Sequence, residues 1–116
     1  MLNKDYYILL SILETIDKII RYTEGYNSAD ELYNNDRDFD AAMMNFIVIG
    51  EEVGKLTDEL KEKNYQIDWQ KIYTFRNIIA HHYFGINVDI VWQIICYDIP
   101  KLRDDLDKLL SFKNNR

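Results

Sequence analysis

Apolar residues recur along this chain every three or four positions, and the pattern holds through four long segments. A helix with 3.6 residues per turn brings positions i, i+3, i+4 and i+7 to one face, so each segment predicts an amphipathic helix. The first covers residues 5–23, with Leu9, Ile12, Leu13, Ile16, Ile19 and Ile20 as its stripe and Gly25 as its stop. Ser28-Ala29-Asp30-Glu31 reads as a capping box that opens a short extra helix. The second long helix starts around residues 36–38 and is expected to continue to residue 63, carrying Phe39, Ala42, Met43, Phe46, Ile49, Val53, Leu56 and Leu60 inward. Gly50 and Gly54 lie one turn apart within it and cost helix propensity, which predicts that another helix approaches closely there. Asp68 caps a third helix from residue 69 to about residue 83, with Gly85 as its stop. Asn87 or Asp89 caps the fourth, which carries Ile90, Val91, Ile94 and Ile95. Pro100 is expected to kink or break it before Leu102, Leu106, Leu109 and Leu110 resume the stripe. No stretch alternates as a strand would. Four such helices with short connections predict an all-α, up-and-down four-helix bundle, one domain over residues 1–116.

Composition narrows the class. A chain of 116 residues with 47% hydrophobic content, one proline and four glycines suits a packed helical globule. At this size about two thirds of the unfolded surface is buried. The amino-terminal residues lack the pattern of a secretory leader. The apolar runs are too short for a membrane span. Lone Cys96 excludes an intrachain disulfide, fits a reducing cytoplasm, and is expected as a buried, inert thiol.

The net charge of −6 argues against broad binding to nucleic acid, which usually needs a basic face. Residues 1–40 hold nine acids against four bases, whereas residues 100–116 hold five bases against three acids. Any contact with RNA is therefore expected to be local, near Arg76 and the carboxy-terminal bases.

One stretch is not explained by packing: Arg76-Asn77-Ile78-Ile79-Ala80-His81-His82-Tyr83. Its arginine offers a planar fork of donors to phosphate oxygens, and its histidine can move protons near neutrality. On a regular helix Arg76 and Tyr83 fall within roughly 20° of each other, while Arg76 and His81 are roughly 140° apart. Arg76 and His81 thus cannot meet on one phosphate from a straight helix. Either the helix loosens before Gly85, or a second copy supplies the missing partner. A plainer account is also open: the arginine pairs with an acid such as Glu51, and the histidine complements the helix dipole.

The octapeptide and its flanks resemble the HepT-like branch of the HEPN superfamily, whose signature is Arg-x4-His-x-Tyr. The resemblance runs over residues 5–110. It takes in Asp38 and Ala42, Gly50-Glu51, Asp68-Trp69-x-x-Ile72, Tyr83-Phe84-Gly85, Val91-Trp92 and Asp98-x-Pro100-x-Leu102. Two flanks depart from it: residues 64–67 lack the proline often found before the Trp69 position, and residues 73–75 lack the glycine often found before the arginine. The resemblance implies a homodimer with paired signatures lining one cleft. It implies the toxin of a type II toxin–antitoxin system, a metal-independent endoribonuclease in which Arg76 and His81 are catalytic and no cofactor is used. Asn77 and Glu51 would orient substrate or Arg76. Tyr83 would be the acceptor of AMP from an MNT-type nucleotidyltransferase antitoxin. The alternative is a non-catalytic dimeric HEPN module that binds nucleotide or scaffolds the nucleotidyltransferase.

Other conspicuous residues call for blander roles. Trp69 and Trp92 are expected as core and interface anchors, and Tyr6, Tyr7, Tyr22 and Tyr26 as partly buried helix faces. Asp36-Arg37-Asp38-Phe39-Asp40 resembles a metal cluster, but helix capping accounts for it better. Adjacent His81 and His82 cannot chelate one ion from a regular helix.

Overall fold

The computed structural model describes the backbone of residues 1–82 and 85–114, and the side chains of residues 1–79 and 85–111. The chain is 82% helical with no strand among the described residues, which places it in the all-α class. The helices are α1 (Asn3–Thr23), α2 (Ala29–Tyr33), α3 (Asp36–Gly54), α4 (Asp58–Lys63), α5 (Trp69–His82), α6 (Val88–Gln93) and α7 (Ile99–Asn114). A π-helical turn, Ile94–Asp98, joins α6 to α7. The bundle consists of α1, α3, α5 and this composite last helix. No helix among the described residues is long and apolar enough to cross a membrane.

Helix α1 buries Leu9, Ile12, Ile16 and Ile19 completely, as its stripe requires. Each such side chain contributes about 1.5–3 kcal/mol relative to an exposed one. The helix stops where Gly25 takes φ +89°, in the left-handed region open to a residue without Cβ. Ser28 Oγ then accepts the Glu31 N–H at 3.2 Å and starts α2. Asn35 accepts the Asp38 N–H at 3.0 Å and starts α3.

The long second helix expected over residues 36–63 is two helices. Thr57 takes an extended conformation and its hydroxyl caps α4 by accepting from Leu60 N–H. The cause lies far off in sequence: Asp5, 2% exposed in the first turn of α1, accepts the Thr57 N–H at 3.0 Å and the Thr57 hydroxyl at 2.6 Å. Leu56 and Leu60 still face the core, so the apolar period survives a break in the backbone.

Asp68 caps α5 through the Lys71 N–H at 3.0 Å, and buried Trp69 donates its indole N–H to Asn64 O at 3.1 Å. Of the two residues offered for the fourth helix, Asn87 is the cap. Pro100 does not end that helix. A proline lacks its N–H and crowds the carbonyl four residues back. The chain answers with a wider turn just before it, in which the Ile99 N–H reaches Ile94 O. That turn buries Ile94, Ile95 and Ile99 and leaves Cys96 exposed, correcting the expectation of a buried thiol.

Candidate active site around Arg76

The site begins with a close helix crossing. Helix α5 fixes its rotation by burying Ile72, Phe75 and Ile79, and the Phe75 ring meets Phe46 of α3 edge-on at 5.8 Å. This rotation turns Arg76 toward α3. At the crossing stands Gly50. A methyl group there would collide with Cβ of Arg76 and lie 3.3 Å from the Tyr73 carbonyl oxygen. The close approach expected at Gly50 and Gly54 is therefore real, and its partner is the arginine's own backbone turn.

The next residue on α3 completes the arrangement. Glu51 Oε1 lies 2.6 Å from Arg76 Nε in an ion pair, with the side chains 51% and 37% exposed. The expected pairing forms, at the surface rather than in the interior. Exposed ion pairs contribute little to stability, so the consequence of this one is orientation. Glu51 contacts the half-exposed guanidinium at Nε, and the guanidinium carries two further amino groups with donors of their own. Those groups form the edge best suited to a phosphate. The plainer reading of Arg76 as an acid's partner and the reading as a phosphate ligand are thus compatible.

Asn77 follows Arg76 on α5 and is half-buried. His81 lies in the last turn of α5 by its backbone, but its side chain is outside the described residues, as are Tyr83 and its neighbour Phe84. The structure thus brings together Arg76 and Glu51 of the expected set. Among the described residues, no three histidine, cysteine or carboxylate side chains gather as metal ligands.

Thr15 was not read from the sequence as part of this region. Its hydroxyl donates to Glu52 Oε1 at 2.9 Å and braces α3 against α1 beside Glu51. The legible signal was a polar residue on the apolar stripe of α1. Two of the five carboxy-terminal bases, Lys101 and Arg103, are ion-paired within the fold. Arg103 is held by Asp17 at 2.9 Å and Asp107 at 3.2 Å, and Lys101 by Asp105 at 2.9 Å. The Asp17 carboxylate pushes the Arg103 guanidinium pKa up, with Asp107 adding to the effect.

A family model described as ribonuclease HepT-like matches residues 12–109. A Methanocaldococcus jannaschii protein, named gamma-glutamylcyclotransferase and provisionally an RNase, is 32% identical over 99% of this chain and 54% of its own length. The chain thus spans about half of that relative. A provisionally named RNase of the same organism is 31% identical over 89% of this chain and 84% of its own. A Thermococcus cleftensis protein named probable ribonuclease HepT is 30% identical over 92% of this chain and 94% of its own. No solved structure matches the chain.

Proposed function

The chain belongs to the HepT-like ribonuclease family, and from that premise we propose that it is an endoribonuclease toxin acting by metal-independent transesterification. The observation that carries this reading is Arg76, seated on Gly50 and ion-paired with Glu51 at 2.6 Å. A preset guanidinium edge suits charge that develops on phosphate oxygens, because no reorganisation is then needed as the charge builds.

In the proposed reaction His81 removes the proton of a ribose 2′-hydroxyl. The 2′-oxygen bonds to the adjacent phosphorus, the P–O5′ bond breaks, and the 5′-oxygen leaves with a proton returned by an acid. A 2′,3′-cyclic phosphate and a 5′-hydroxyl result. Arg76 stabilises the pentacoordinate phosphorus, and Asn77 orients the phosphate or the imidazole. The proposed unit is a cytoplasmic, single-domain homodimer. Its second copy answers the separation of roughly 140° between Arg76 and His81 on one regular helix. The proposed restraint is a nucleotidyltransferase antitoxin that adenylylates Tyr83, setting an anion beside Arg76.

Induced expression tests the reading. Growth should arrest, cellular RNA should acquire cyclic phosphate ends, and both Arg76→Ala and His81→Ala should abolish the effect. Arrest that survives both substitutions refutes the assigned site. A stable complex with the nucleotidyltransferase and no cleavage of any RNA would instead establish a binding module. For the modification, the nucleotidyltransferase with ATP should raise the mass by whole AMP units, and Tyr83→Phe should prevent this.

A further inference from the structure

A groove of about 990 Å³ lies between α4 and α7, at the end of the bundle where α1 begins. Neither Arg76 nor Glu51 lines it. Sites for small molecules commonly enclose about 300–1,000 Å³ and are mostly apolar, with a few polar groups that orient the ligand. The apolar part of this groove is aliphatic. Leu60 of α4 and half-buried Leu109 of α7 line it, and Met1 and Leu2 stand beside them, 47% and 55% exposed. No aromatic ring is among the described residues that line it, so a nucleobase would find no stacking platform.

Most polar groups in the groove are engaged within the fold. Asp5 accepts from the Thr57 N–H and hydroxyl, Glu59 lies 2.9 Å from Lys63 Nζ, and Asp105 lies 2.9 Å from Lys101 Nζ. Asn64 donates its side-chain amide to Leu60 O at 2.9 Å. Lys108 and Gln66 remain, both exposed and without an ion pair or hydrogen bond to a described residue. Charge at and beside the groove is balanced, with Asp5, Glu59 and Asp105 against Lys63, Lys101 and Lys108. The acidic excess of the chain is concentrated instead in residues 24–40, which hold six acids against one base. An extended peptide would bring a donor and an acceptor with each residue and leave most of them unmet here. A ligand with one charged head and a plain hydrocarbon body matches a single free cation over an aliphatic floor.

We infer that this groove binds a free amphipathic monoanion, an unbranched aliphatic carboxylate whose chain lies on Leu2, Leu60 and Leu109 and whose head pairs with Lys108. The site is independent of the ribonuclease reading and stands if that reading fails.

The test follows the amide resonances of the full chain by NMR while hexanoate, octanoate or decanoate is added below micelle-forming concentrations. Shifts should cluster at residues 57–66 and 105–109, which line the groove. Each added CH₂ should tighten Kd about twofold to fourfold, the upper figure being that of full burial, so decanoate should bind at least about tenfold more tightly than hexanoate. Octylammonium, with a chain of the same length and the opposite head, should bind about fivefold or more weakly than octanoate, and Lys108→Glu should weaken octanoate by a similar factor. Leu2→Asn, at an exposed position, should weaken decanoate severalfold and leave the Tm unchanged. Affinity that does not rise with chain length, binding of octylammonium as tight as that of octanoate, or shifts spread over other exposed apolar residues such as Tyr7, Met44 and Tyr97 overturns the site. Binding to phosphatidylglycerol vesicles without binding of monomeric decanoate would mark a membrane-facing surface instead. Groove shifts that follow protein concentration alone would mark contact with a second copy. Either result also overturns the inference.

Discussion

Replacing Gly50 with alanine tests whether the α3–α5 crossing sets the position of Arg76. The added methyl would meet Arg76 Cβ and, at 3.3 Å, the Tyr73 carbonyl oxygen. Neither is the far end of a flexible side chain, so α5 must move as a body. Overpacking of this kind costs about 1–3 kcal/mol, and a site bounded by backbone belongs in the upper part of that range. Against it, alanine in a helix interior is favoured over glycine by about 1 kcal/mol. The net expectation is a loss of about 1–2 kcal/mol. With a urea slope of about 2 kcal/mol per molar, in the middle of the usual range, the midpoint should fall by roughly 0.5–1 M.

Gly54 is the internal control. A methyl there would lie 3.1 Å from Cε2 of Tyr73, a ring edge that can yield. Gly54→Ala should therefore be neutral or slightly stabilising, because the gain in propensity is not cancelled. The assays are urea unfolding at fixed protein concentration and RNA cleavage under conditions where both variants remain folded. Displacement of a catalytic group by about 1 Å can cost on the order of a hundredfold. Gly50→Ala should thus lose tenfold or more in kcat/KM, on the order-of-magnitude scale of such displacements, while Gly54→Ala retains activity. Equal behaviour of the two variants, in either direction, refutes the assignment of Gly50 as the seat of Arg76.

Three further outcomes follow from named contacts. Glu51→Gln removes the charge opposite Arg76 Nε but keeps the shape; stability should change by less than about 1 kcal/mol, because the pair is exposed, while kcat/KM falls. Unchanged kcat/KM would remove Glu51 from the site. Asp5→Ala leaves the Thr57 N–H without its acceptor and should cost about 1–3 kcal/mol, with faster hydrogen exchange in α4 than in α5; uniform exchange would contradict the long-range cap. Tyr26 donates its hydroxyl to Asp38 at 2.5 Å, and this bond is the main reason its pKa lies above the ordinary 10.0. Because the folded value is the raised one, the bond's contribution is complete below the ordinary value and is lost as pH rises through the folded value. Ultraviolet titration should show a late-ionising tyrosine that Asp38→Asn brings back toward normal.

The helices were legible because burial imposes a period of 3.6, and the stripes of α1, α3 and α5 carry it without interruption. Two features were not legible, and both depend on contacts beyond the local pattern. The break between α3 and α4 keeps Leu56 and Leu60 in phase, so the apolar signal runs straight across it; only Asp5, 52 positions from Thr57, marks the interruption. The π-helical turn adds a residue to one turn and shifts the faces after it, which is why Ile99 rather than Asp98 enters the core behind Ile94 and Ile95.

The site was legible in kind but not in contact. An arginine, a glycine pair and an acid could be picked out, whereas the fact that Gly50 receives Arg76 depends on where two helices cross. Once that crossing is known, the order Gly50-Glu51 has a geometric reason. Successive helix residues point roughly 100° apart, so a residue on the contact line and its successor face different surroundings. The residue on the line must have no side chain if the two backbones are to touch. Its successor then points along the flank of the crossing, where a carboxylate can reach round to a guanidinium whose stem is pinned beneath it. Exchanging the two residues would put the acid into the contact and leave the flank empty. The adjacency is therefore a requirement of aiming an arginine from one helix with a carboxylate from the helix it rests on.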